Sequence, residues 1–230
     1  MFKITINQLS GLIAFVSVVS FVFSCNTPPK GDEAQISDSQ EAASGDGVTF
    51  VVDTANSKIR FTGHGVGKNH PGNFKLASGE VMVKNSEITG GNFVIDITSL
   101  TVEQQDAMVQ QKLKPHLLSG DFFDAEKFGD ARFEITGIRP YEPDQQDKSI
   151  VEGANFYVSG NFRLKDVTRN ITFPARIDLD DNTLKGKANF DIDRTDWRMN
   201  YGNDKTLGDK FISETVNIEL NLEAKRNDAI

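Results

Sequence analysis

The feature that most constrains this chain is a repeated alternation of apolar and polar residues in short runs. In Asn92–Thr98, Phe93, Ile95 and Ile97 fall on one face, and Asn92, Asp96 and Thr98 on the other. The same period of two recurs in Thr49–Asp53, Lys58–Thr62, Gly79–Lys84, Arg132–Thr136, Asn155–Leu164, Thr172–Leu179, Asn189–Ile192 and Val216–Leu222. Successive side chains of a strand point to opposite faces, so each run predicts a strand with one dry and one wet side. Antiparallel sheets have that character. Turn residues such as Thr89-Gly90-Gly91-Asn92 and Asp180-Asp181-Asn182 separate the runs. Eight or more such strands predict an all-β barrel or sandwich. One segment departs from the pattern. Thr101-Val102-Glu103-Gln104 has the spacing of a capping box, helix formers follow to Lys114, and Pro115 is expected to stop them. One helix is therefore expected midway, and Pro140–Lys148 reads as a polar loop between two strands.

The N-terminus is of a different kind. An apolar run from Gly11 to Phe23 follows Lys3 and ends in Val22-Phe23-Ser24-Cys25. Its length suits a signal-peptide core, and a small residue before a cysteine is the bacterial lipobox pattern. Residues 1–24 are thus expected to be a signal peptide and Cys25 the lipid anchor. A diacylglycerol thioether plus an N-acyl chain of palmitate type gives three chains, enough for stable anchoring where one is marginal. The competing reading is a transmembrane anchor, but Asn7, Gln8 and Ser10 interrupt the span. Residues 26–47 carry no aromatic and little apolar surface, which predicts a disordered tether of up to roughly 70 Å when extended. The folded domain is then 48–230, a length suited to one all-β unit. Asn26 follows the anchor where an Asp would favour inner-membrane retention in Gram-negative lipoproteins. The expected place is the cell envelope, on the outer membrane facing the periplasm.

Net charge is −8, which argues against nucleic acid as partner, because phosphate binding needs clustered cations. One cysteine excludes an internal disulfide and any Cys-cluster zinc site. His64 and His70 stand six apart in the Gly-rich segment Gly63–Gly72, a spacing that matches no common metal motif. No metal site, no required cofactor and no nucleophile elbow are expected. Of 17 Phe, four precede Cys25 (Phe2, Phe15, Phe21 and Phe23), and only three Tyr and one Trp accompany the rest. Phe fills dry space without needing a hydrogen-bond partner. A Phe-rich core is one reading. The other is a barrel interior that holds one apolar ligand.

Three blocks carry a family resemblance. The first is Ser57-Lys58-Ile59-Arg60-Phe61 with Gly63, His70-Pro71-Gly72, Phe74 and Gly79. The second and most specific is His116-Leu117-Leu118-Ser119-Gly120-Asp121-Phe122-Phe123-Asp124, followed by Phe128 and Phe133. The third runs from Val158-Ser159-Gly160 to Val167-Thr168-Arg169, with Asp193-Arg194-Thr195-Asp196-Trp197 and Tyr201-Gly202 beyond. The chain resembles the YceI-like family of lipocalin-like polyisoprenoid-binding proteins. It departs from that pattern at Gly129, Phe162-Arg163, Asp166 and Trp197-Arg198. The last pair stands in place of Phe-Gly and is expected to narrow or reshape one end of a cavity.

The resemblance implies an extended antiparallel, lipocalin-like, eight-stranded β-barrel with a short helical insertion. It implies an isoprenoid lipid, polyprenyl or quinone-type, as ligand, and a binding protein, not an enzyme. The expected interior positions are Phe61, Phe93, Ile95, Phe133, Phe162, Phe173, Phe190 and Ile192, with Leu117, Leu118, Phe122 and Phe123 as helix-side wall or mouth. His70, His116, Asp121, Arg194 and Asp196 are expected either to brace the fold or to meet a head group. Family members include homodimers, so a homodimer is one expectation. Two alternatives stand beside lipid carriage or sequestration. One is an enzyme with His116 and Asp121 as acid and base; the other is a stress-related envelope module that binds a protein through an exposed apolar patch.

Overall fold

The computed structural model describes residues 27–65, 67–103, 106–143 and 148–227. The expected signal peptide, residues 1–24, and the expected anchor, Cys25, lie outside the described residues. Eleven strands and one α-helix form in the order β1 (Asp32–Glu33), β2 (Gln35–Asp38), β3 (Val48–Val52), β4 (Lys58–Gly65), β5 (Lys68–Lys84), β6 (Glu87–Val102), α1 (Ala107–Leu118), β7 (Asp130–Pro140), β8 (Phe156–Leu164), β9 (Val167–Leu179), β10 (Thr183–Asp193) and β11 (Ile212–Arg226). Strands β4 to β11 pair antiparallel with their neighbours in chain order. β4 also pairs with β11, so these eight strands close into a barrel. Closure leaves few free edges and puts every second side chain inside. β3 takes the same place between β11 and β5 as β4, which follows it after the turn at Asp53–Ser57.

The alternation is realised in the register. Phe61 faces Ile218 and Ile59 faces Leu220 across β4 and β11, and Phe93 faces Phe133 across β6 and β7. The strands are longer than the alternation alone suggests, because they run through glycine and proline. The Gly-rich segment Gly63–Gly72 belongs to the β4–β5 hairpin, with Gly63 opposite His70 and Phe61 opposite Gly72. A Cβ at Gly72 would lie 2.6 Å from the Phe61 ring, so the ring takes the space that a side chain would fill. Bulges at Asn73/Lys75 and Leu76/Ser78 also interrupt the simple alternation in β5.

Two local expectations are corrected. Thr101 is not a helix cap: Thr101 and Val102 extend β6, paired with Asn73 and Gly72. The cap is Asp106, whose carboxylate accepts from the Met108 N–H at 2.9 Å. Pro115 lies inside α1, not after it. The helix continues through it to Leu118, and the Ser119 hydroxyl and N–H both donate to the His116 carbonyl at its end.

The larger correction concerns the segment expected to be a disordered tether. From Thr27 onward it wraps the barrel. Strands β9 and β10 pair only over Ala175–Leu179 and Leu184–Ala188, then part towards the end that carries α1. β1 pairs parallel with β10 at Phe190 and Asp191, and β2 pairs antiparallel with β9 at Arg169–Thr172. The segment thus fills the gap between them as a short extra strand, burying Ala34 and half-burying Ile36. Backbone donors and acceptors left unpaired by the splay are satisfied there. That backbone ladder orders a segment whose side chains alone would not. No helix among the described residues is long and apolar enough to cross a membrane.

Candidate apolar cavity

The core does not fill the barrel. A cavity of about 730 Å³ runs through it, inside the usual range for small-molecule sites. Its far end is plugged by Phe50, Val52, Val83 and Ala224, all buried. The opposite end, where the chain passes from β6 into α1, is its mouth.

Strand alternation places each wall residue. Phe61 from β4, Phe93 and Ile95 from β6, and Phe133 from β7 line the cavity. Phe162 from β8, Phe173 from β9, and Phe190 and Ile192 from β10 complete the ring. The Phe173 and Phe190 rings stack at 4.1 Å, and Phe133 approaches Phe173 at 6.0 Å. From the helix side, Leu117, Phe122 and Phe123 reach the same space, and Phe123 meets Phe74 edge-on at 5.3 Å. Leu118 does not line it. One position along α1 from Leu117, it borders a separate recess with Thr98, Pro115 and Ala125. Trp197, expected to reshape the cavity, is fully buried behind Phe162 and does not line the cavity. It donates from its indole N–H to the Phe162 carbonyl at 3.1 Å.

The pattern of sequence departures has a local explanation at the same end. Arg198 sits at φ 58°, where glycine is at ease, and caps the short 3₁₀ turn Arg194–Trp197. Its guanidinium pairs with Asp166 at 3.0 Å, so two of the departures meet each other.

The polar candidates separate by role. Arg194 is buried and lines the cavity. Its guanidinium donates to the backbone carbonyls of Ser213 at 2.8 Å, Ile212 at 2.9 Å and Met199. Burial lowers its pKa, and the charges of Asp193 and Glu214 oppose that shift. It fastens the start of β11 to the turn after β10. His70 lines the mouth with Nε2 3.2 Å from the Gly65 carbonyl, which fixes that nitrogen as the donor. Its Nδ1 is buried without a hydrogen-bond partner. Burial pulls its pKa below 6.5, which keeps the ring neutral and leaves Nδ1 a free acceptor. His116 lines the mouth, packed edge-on against Phe122 and Tyr201, and its Nε2 lies 3.1 Å from Asp121. Asp121 itself does not reach the cavity. Asp196 lies outside it too, and burial raises its pKa, helped by Asp193. No group of three His, Cys or carboxylate side chains gathers as a metal site among the described residues.

Sequence reasoning missed several wall residues. Phe74, Leu76, Ile138 and Ile171 line the cavity, as do Ile218 and Leu220. Ile218 and Leu220 fall on the inward register of a run already read as a strand, and Ile171 lies one residue before the run Thr172–Leu179, in the part of β9 that the alternation did not reach. Phe74, Leu76 and Ile138 lie where hairpin glycines and bulges obscure the alternation.

An antiparallel eight-stranded barrel with this apolar interior is matched by one domain model, the YceI-like domain, over residues 50–224. The chain belongs to the YceI-like family. Among solved structures it is similar to BcnA of Burkholderia cenocepacia, with 21% identity, TM-score 0.57, and cover of 75% of this chain and 99% of that one. It is equally similar in fold to a polyisoprenoid-binding domain from Saccharophagus degradans implicated in plant cell wall breakdown. There the identity is 15% and the TM-score 0.57, covering 78% of this chain and 99% of that one. A mutant YceI protein from Campylobacter jejuni matches at 21% identity and TM-score 0.52, over 68% of this chain and 85% of that one. No curated protein is significantly similar to the chain.

Proposed function

We propose that this YceI-like chain is an envelope lipoprotein, anchored through Cys25, that carries or sequesters a long isoprenoid lipid of polyprenyl or quinone type. The observation that carries the reading is open space walled by Phe, Ile and Leu from every strand of the barrel. Such a cavity repays an apolar chain by removing it from water, at roughly 0.8 kcal/mol per CH₂. Three isoprene units would gain on the order of 10 kcal/mol gross, against association costs of several kcal/mol. No polar clamp is needed for affinity, so binding does not depend on a catalytic constellation. The Saccharophagus structure, named for polyisoprenoid binding, supports the choice of lipid class. The outer membrane, facing the periplasm, is the proposed location.

The test is competition inside the barrel. Ala188 is inward-facing, buried and part of the cavity wall. Ala188→Phe is expected to keep the β-sheet circular dichroism signal and to cut binding of a fluorescent polyprenyl probe by about tenfold, the loss of roughly two buried CH₂ groups. A folded variant that binds the probe as tightly as the parent would place the ligand elsewhere.

A further inference from the structure

The wrapped N-terminal segment fixes where the chain leaves the barrel. It can be followed backwards from β3, at the plugged end. The Gly45 N–H donates to the Thr89 carbonyl on β6 at 3.1 Å, and the Ala43 N–H to the Ile135 carbonyl on β7 at 3.0 Å. Gln40 exchanges two bonds with the Asn161 side chain on β8. β2 and β1 then lie between β9 and β10, and the Gly31 N–H donates to Asp191 at 3.0 Å. Gly31 passes so close to β10 that a Cβ there would stand 2.7 Å from the Phe190 backbone. Finally, Asn69 donates from Nδ2 to the Thr27 carbonyl at 2.9 Å. Asn69 sits between Lys68 and His70, both residues of the mouth. The segment therefore circles the barrel from the plugged end and finishes at the opening. Thr27, only two residues after Cys25 in the sequence, is thus tied to the mouth.

The rim has a composition that fits what would lie there. Met108, Tyr201 and Leu207 are large apolar residues left 66%, 47% and 43% exposed. Met108 starts α1, and Tyr201 touches His116 in that helix. Lys68, Lys112 and Lys210 line the opening, and none of the three is in an ion pair among the described residues. No Asp or Glu lines the cavity among the described residues, in a chain with 33 acidic residues and a net charge of −8; at the mouth Asp121 faces His116. Exposed apolar side chains beside unpaired lysines suit the interface of an anionic bilayer.

We infer that the rim is a membrane-docking surface: the N-terminal wrap pins the anchor at the mouth, so the cavity opens directly onto the lipid surface. Met108, Tyr201 and Leu207 enter the interface, and Lys68, Lys112 and Lys210 meet the acidic head groups. The inference rests on the reading of Cys25 as the anchor and deepens the proposed function, since a lipid could pass between bilayer and barrel without crossing water.

The experiment uses the full-length acylated chain in vesicles of phosphatidylethanolamine and phosphatidylglycerol. Cysteines are introduced one at a time as Met108→Cys and Leu207→Cys at the rim, with Val48→Cys and Val51→Cys on the far half as controls, and each is labelled with a nitroxide. Acylation blocks Cys25 from the label, and the mass of the N-terminal peptide verifies that acylation. Access to oxygen relative to a water-soluble nickel chelate is expected to be roughly threefold or more higher at 108 and 207 than at 48 and 51. Equal ratios, or higher ratios at the controls, would overturn the orientation. An unmodified Cys25 would remove the anchor and the inference with it. Lipid binding in the barrel is not read by either signal, so a failure here is distinct from a failure of the proposed ligand.

Discussion

At the residue scale, glycine and histidine set what the cavity can hold. Gly160 on β8 pairs with Ile135 on β7, and a Cβ there would stand 2.2 Å from the Phe133 ring and 2.8 Å from the Glu134 carbonyl. Gly160→Val must therefore drive Phe133 into the cavity or part the two strands. Overpacking of this kind costs about 1–3 kcal/mol, to be read as a lower urea midpoint at unchanged slope. His70 gives the fold a pH dependence of known sign. Burial lowers its pKa in the folded state, with a smaller opposing effect from the Gly65 carbonyl. The unfolded chain therefore takes up the proton first as pH falls below about 6.5, and the fold loses stability from there down to the folded-state value. Above that window the ring contributes nothing to the slope. His70→Gln is expected to shrink the stability difference between pH 8 and pH 5 measured by urea unfolding. An unchanged difference would mean that other groups set the acid limb.

At the element scale, the inward faces of most strands were legible because one buried face enforces a period of two. Phe93, Ile95, Phe173 and Phe190 line the cavity as that period implies. Strand lengths were not legible where a glycine makes room for a ring, as Gly72 does for Phe61, since a missing side chain reads as a turn. The helix start was misread because Thr101 and Gln104 have cap spacing, yet Thr101 is claimed by the β5 ladder. β1 and β2 were illegible for another reason. Their order comes from backbone pairing with the parted β9 and β10, which composition does not record. This account makes Gly31 the tight point of the wrap. Gly31→Val is expected to raise hydrogen exchange at residues 32–38 while amides of β5 and β6 stay protected. Unchanged protection at 32–38 would show that the segment accommodates the side chain.

At the scale of the whole molecule, the domains of function separate cleanly along the barrel axis. The far end is plugged by Phe50, Val52, Val83 and Ala224, and the middle is a Phe-lined void. The mouth gathers His70, His116 and Arg194 with three lysines. The void itself was only half legible in the sequence. Phe content and alternation fit a packed core as well as a hollow one, and only the distance across the closed barrel decides between them. A hollow apolar interior is costly unless occupied, because its walls forgo dispersion contacts. The central claim is that an isoprenoid chain occupies it. The direct measurement is organic extraction of the purified full-length chain followed by mass spectrometry of the extract. The account predicts a lipid with a repeating five-carbon chain, near one per barrel and depleted in Ala188→Phe. Repeated recovery of empty protein, or of lipids without that repeat, would contradict it.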